Sequence, residues 1–184
     1  MTGDVAPEFS RRIPVADIPA RGADYEIGAT PDERDALAAR LGLVRLDALT
    51  ARLRLQPIGG GPLVRLTGRL AARVTQSCVV TLEPVDAELD ERFAMTFGPP
   101  GEVDEDEDSL ELDLSPDAED PPDPFVGGAV DLGEAVAEHL ALALDPFPRK
   151  AGAEFAPPAA PDEEDGPARA SPFAILGRMR KNDV

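Results

Sequence analysis

Leu63-Val-Arg-Leu-Thr-Gly-Arg-Leu-Ala-Ala-Arg-Val-Thr-Gln76 alternates with period two. The even positions Val64, Leu66, Leu70, Ala72 and Val74 are apolar, and Arg65, Thr67, Arg69, Arg73 and Thr75 stand between them. Such alternation predicts a long strand with one buried and one wet face, the pattern of an antiparallel sheet. Gly68 falls on the apolar row, where a bulge or sharp bend is expected. Upstream, Thr50-Ala-Arg-Leu-Arg-Leu-Gln56 sets Leu53 and Leu55 on one face and Arg52 and Arg54 on the other. Pro57-Ile-Gly-Gly-Gly-Pro62 reads as the turn that joins the two strands. Downstream, Cys78-Val-Val-Thr-Leu82 is a short β-rich run ended by Glu83-Pro84. A further strand over Ala87–Phe97 turns Leu89, Phe93, Met95 and Phe97 inward.

Helical signals flank this centre. Thr30-Pro31-Asp32-Glu33 combines an N-cap, a proline suited to the first helical position and the acid of a capping box, which predicts a helix over 31–41. Asp131 and Glu134 repeat the capping logic before Leu132, Val136, Leu140 and Ala143, and Pro146 ends that second helix. Phe9 to Ile18 alternates loosely around Pro14, so a strand there lies at an edge. Together these elements predict an α+β fold: an antiparallel sheet, curled or barrel-like, with two main helices.

The charge is unevenly spread. The 184-residue chain has a formal net charge of −18. Through Glu83, 11 Lys and Arg meet 10 Asp and Glu; from Pro84 onward, 7 meet 26. Twelve of those acids, Asp104, Glu105, Asp106, Glu107 and Asp108 among them, lie between Glu102 and Asp123. Thirteen of the 20 prolines fall within 99–124 and 146–172. High charge, proline and low hydrophobicity leave too little surface to bury. The expected organisation is therefore one domain over 1–150 that contains an acidic, Pro-rich loop at 99–124, then a flexible linker at 151–171 and a short amphipathic tail at 172–184. Within the acidic loop, Leu110-Glu-Leu-Asp-Leu114 alternates as a short strand would.

Several function classes are disfavoured. A single Cys and a single His cannot build a disulfide framework or a Cys/His zinc cage, so no metal and no cofactor is expected. No apolar run approaches the roughly 20 residues of a membrane span. Met1-Thr2-Gly3-Asp4 lacks the start of a signal peptide, which predicts a soluble cytoplasmic protein with no membrane partner. The acidic total opposes indiscriminate polyanion binding, and no DNA partner is expected. His139 reads as a half-buried helix residue and Cys78 as a buried thiol. The carboxylates cluster where a rigid catalytic pair is least expected, and no nucleotide-binding or nucleophile-elbow motif occurs. No enzyme is expected.

The arginine row does carry a mechanism. If the strands pair through the Gly-rich turn, Arg52, Arg54, Arg65, Arg69 and Arg73 project from one side of the sheet. Guanidinium binds phosphate or carboxylate bidentately, so this face suits an RNA backbone or an acidic partner. The competing reading is a solvated face, or one neutralised by the chain's own acidic segment. The aromatic side chains on which sheet-based RNA binders stack bases are missing from it.

The stretch Gln76-Ser-Cys-Val-Val-Thr-Leu-Glu-Pro-Val85 resembles the signature of the YceD family, the large ribosomal RNA subunit accumulation proteins, where a strand runs into a Cys-x-x-Cys-Leu-x-Pro-Val type motif. Asp131-Leu132, Glu134, Glu138, Leu140, Leu142, Leu144 and Pro146 are similar to a later family segment, and Pro172-Phe173-Ala174-x-Leu176 to its tail. Thr81 replaces the second Cys, so any role of a cysteine pair is closed to this chain. The resemblance implies a non-catalytic bacterial factor for 23S rRNA accumulation or processing and for large-subunit assembly, with 23S rRNA or the pre-50S particle as partner. An alternative is an acidic escort of a basic large-subunit ribosomal protein, with Asp104–Asp108 at the centre of its binding or gating segment.

Overall fold

In the computed structural model, which describes residues 7–99 and 122–155, the alternating stretch becomes the centre of a five-stranded sheet. The strands β2 (Ala23–Gly28), β3 (Arg45–Ile58), β4 (Leu63–Ser77), β5 (Pro84–Gly98) and β6 (Asp123–Pro124) lie side by side in chain order. All pairings are antiparallel except the short β5–β6 contact. A separate two-stranded ladder joins β1 (Arg12–Pro14) to β7 (Ala129–Asp131). The class is α+β as the sequence predicts, but the sheet stays open, with β2 and β6 at its edges. Among the described residues, nothing in the strand order closes a barrel.

Helix α1 (Pro31–Leu41) occupies the predicted span. Thr30 Oγ1 accepts the Glu33 N–H, the Glu33 carboxylate accepts the Thr30 N–H, and Gly42 ends the helix in the left-handed region at φ 65°. Helix α2 (Leu132–Ala143) is capped by Asp131, as expected. Glu134, however, does not complete a capping box; it reaches Arg40 of α1 at 2.7 Å instead.

One face of the sheet is buried. Leu53, Leu55, Val64, Leu66, Leu70 and Val74 pack with Leu37 of α1, with Leu132, Val136 and Leu140 of α2, and with Phe9. Fully burying each large side chain contributes about 1.5–3 kcal/mol, which makes this layer the main source of stability. Two expectations are corrected here. Gly68 forms neither bulge nor bend: it pairs in register with Leu53 and Phe93. A Cβ there would lie 2.6 Å from Leu53 Cδ2 and 2.7 Å from Phe93 Cζ, so glycine admits these two side chains. The register shift lies instead between Leu46 and Ala48. The β-rich run Cys78–Leu82 is a turn, closed by Leu82 N–H to Cys78 O and Cys78 N–H to Glu83 O, with Leu82 at φ 60°. Strand β2 lacks a sequence signal of comparable length.

The acidic residues Asp104–Asp108, the Leu110–Leu114 alternation and the tail from 172 lie outside the described residues. Contacts divide the chain into the units Met1–Ala153 and Glu154–Val184.

Arg11 anchors the N-terminal segment by a two-pronged ion pair to Glu33, at 2.7 and 3.0 Å. These bonds, foremost among several causes, hold the Glu33 carboxyl at about 2 against its ordinary 4.5. The folded value lies below the unfolded one. The resulting stability is therefore complete above about pH 4.5 and is lost progressively as pH falls towards 2. Melting temperature followed over that window is expected to fall less steeply for Glu33→Gln than for the parent; equal slopes would remove Glu33 from the acid response.

Candidate functional site

The other face of the sheet carries the arginines. Strand parity turns Arg52 and Arg54 outward on β3, and Arg65, Arg69 and Arg73 outward on β4. The β3–β4 register then sets Arg52 opposite Arg69. All five predicted residues thus share one face. The same register adds a sixth: Arg69 stands opposite Arg92 of β5. Sequence reasoning missed Arg92, although its parity opposite to Leu89 and Phe93 already placed it outward.

Neighbouring strands also bring acids. Glu26 of β2 extends the transverse row, giving Glu26–Arg52–Arg69–Arg92 across four strands. Arg52 Nε lies 3.5 Å from Glu26 Oε1. Arg54 donates to both oxygens of Asp24, at 3.0 and 2.9 Å, and to Arg21 O at 2.8 Å. Arg69 grips Asp90 through Nε and Nη2, and this bond lowers the Asp90 pKa and raises that of Arg69. Among the described residues, Arg65, Arg73 and Arg92 lie within 4 Å of no carboxylate. Arg52 and Arg69 keep 82% and 56% of their side-chain surface in water. Exposed pairs of this kind are weak and salt-screened, so an incoming anion can compete for these guanidiniums. Carboxylates of β2 and β5 thus pair with three of these arginines, whereas the acidic segment expected to neutralise the face lies outside the described residues.

The remaining candidates are less exposed. Cys78 is buried, with relative exposure of 0%. Its Sγ accepts the Lys150 N–H at 3.4 Å. That bond, followed by those from Thr81, lowers the thiol pKa to about 6. A merely hydrophobic reading of Cys78 misses this polar cradle. His139 stacks on Phe93 with ring centroids 4.1 Å apart. Its buried Nε2 has no partner among the described residues, and burial lowers its pKa. A cavity of about 560 Å³ is lined by Ser10, Arg12, Met95, Phe97, Asp131 and Glu138, among others. Asp131 there is engaged by the N-terminal segment and the helix cap. Among the described residues, no group of three His, Cys, Asp or Glu could hold a metal ion, and no helix is long and apolar enough to cross a membrane.

These features define a two-layer α+β protein with an open sheet face of interleaved guanidiniums and carboxylates. Residues 66–180 match the family described as "Large ribosomal RNA subunit accumulation protein YceD", and the chain belongs to that family. The match begins within β4, so Arg69, Arg73 and Arg92 fall inside it and Arg52, Arg54 and Arg65 precede it. No curated protein and no solved structure matches the chain.

Proposed function

We propose that this protein is a cytoplasmic, non-enzymatic factor that supports 23S rRNA accumulation or processing and large-subunit assembly, and that its open arginine face contacts the rRNA. The observation that carries the reading is the transverse row Arg52–Arg69–Arg92 on the solvent side of the sheet. Family membership supplies the process; the guanidiniums supply a chemistry for phosphate. The interleaved acids act against promiscuous polyanion binding, because a weak or poorly shaped anion does not displace them.

The acids between Glu102 and Asp123 favour a second reading, capture of a basic large-subunit ribosomal protein. One experiment separates the two. Affinity purification of the full chain from cells at moderate salt is expected to retain 23S rRNA. The variant with Arg65, Arg69 and Arg73 changed to Gln is expected to lose most of that RNA, and purified 23S rRNA to bind it with a flatter salt dependence. Undiminished RNA in the variant removes the face from the account. Retention of a basic ribosomal protein without RNA transfers the role to the acidic segment.

A further inference from the structure

The open face is polarised along its strands. From the β3–β4 turn as far as the Glu26–Arg52–Arg69–Arg92 row, β3, β4 and β5 present Arg52, Arg54, Arg65, Arg69 and Arg92 and no outward acid; the carboxylates Asp24 and Glu26 stand on the β2 edge. Beyond the row, β5 presents Asp90, Glu88 and Asp86 in succession, and Arg73 lies directly opposite Glu88.

The row sets like charges directly opposite one another twice, Arg52 against Arg69 and Arg69 against Arg92, an arrangement that disfavours the folded sheet. The carboxylates relieve it only in part. Glu26 serves Arg52, Asp24 serves Arg54 and Asp90 serves Arg69. Arg65 and Arg92 are left without a carboxylate among the described residues. Between them sits Thr67, exposed, with the small Ala94 beside it on β5 and Arg54 beside it on β3. Over Thr67 and Gly68 lies an open depression of about 630 Å³, walled by Arg52, Arg54, Arg69 and Arg92 and, on the β2 side, by Asp24 and Glu26.

We propose that this half of the face is a phosphodiester-binding site: Arg92 in the wall of the depression and Arg65 outside its rim donate to phosphate oxygens, Thr67 Oγ1 donates from the floor, and Asp90 braces Arg69 between them. The proposal rests on the rRNA reading above and narrows it. The outward positions of β2 to β5 carry no aromatic side chain, so no base-stacking platform exists on this face. RNA is therefore held by the backbone of its helical segments and without sequence preference. The acids beyond the row repel phosphate, which confines the RNA to the end of the sheet near the Gly59-Gly60-Gly61 turn.

The test uses the full chain, a 20-base-pair RNA duplex of arbitrary sequence and, in parallel, a 23S rRNA transcript, with affinity measured against salt. Arg65→Gln with Arg92→Gln is expected to lower duplex affinity roughly tenfold and to reduce the salt slope by about two, one for each phosphate no longer neutralised. Arg73→Gln is expected to cost less than either single change. The melting temperature of Arg92→Gln is expected not to fall, since a like-charged neighbour of Arg69 has been removed. Binding of 23S rRNA with no duplex binding, or an Arg73→Gln loss as large as that of Arg92→Gln, overturns the site and leaves the rRNA reading standing. A fall in melting temperature for Arg92→Gln likewise overturns it, by making the guanidinium structural. Failure of the parent chain to bind either RNA overturns both.

Discussion

Gly133→Ala is expected to destabilise the protein by about 3 kcal/mol, the upper end of ordinary overpacking. On helix propensity alone the change should help, because alanine is favoured over glycine by roughly 1 kcal/mol within a helix. The tertiary contact reverses the sign. A Cβ on Gly133 would lie 2.3 Å from Phe9 O, 2.8 Å from Phe9 C and 3.0 Å from Ser10 Cα. All three are backbone atoms, so no rotamer change relieves the clash, and the N-terminal segment must lift. Phe9, which is completely buried, would move with it, as would the bond from Leu132 N–H to Arg11 O at 3.0 Å. Thermal unfolding should show a melting temperature lower by roughly 10 °C. An unchanged or raised value would mean that the segment does not cross the helix at this point.

Asp131→Ala should have a comparable effect, about 3 kcal/mol, because one carboxylate serves two structures. Its Oδ1 accepts the N–H groups of Gly133 at 3.0 Å and Glu134 at 3.3 Å, which caps α2. The same oxygen accepts Arg11 N–H at 2.8 Å, and Oδ2 accepts the Ser10 hydroxyl. Asp131→Asn keeps an acceptor for the cap and offers an NH₂ to the Ser10 oxygen, so it is expected to cost about 1 kcal/mol. Chemical denaturation of the two variants tests the order. If alanine and asparagine prove equal, the charge rather than the acceptor geometry is what matters. Combined with Gly133→Ala, either change should be less than additive, since both release the same N-terminal segment.

Much of the fold is legible before any coordinate is known, because its signals are local. The Thr30–Glu33 capping box lies within four residues, and α1 begins where it says. The period-two run from Leu63 states which side chains are buried, and Val64, Leu66, Leu70, Ala72 and Val74 all are. Parity likewise assigns the five arginines to a common face. Where composition and geometry diverge, local sequence misleads: Val79, Val80 and Thr81 favour a strand, yet the left-handed Leu82 and the two closing hydrogen bonds make a turn.

The candidate site is half readable for the same reason. A strand's own alternation is a property of its covalent chain, so the outward arginines of β3 and β4 follow from sequence order alone. Which charge stands beside which is a property of register between segments far apart in the chain, from Glu26 to Arg92. No local pattern encodes that pairing; it emerges when the apolar faces of β2 to β5 pack against two helices and slide into the one alignment that encloses their side chains. Packing thus turns a stripe of arginines into a polarised face, supplies the acids that hold three of them, and brings in Arg92.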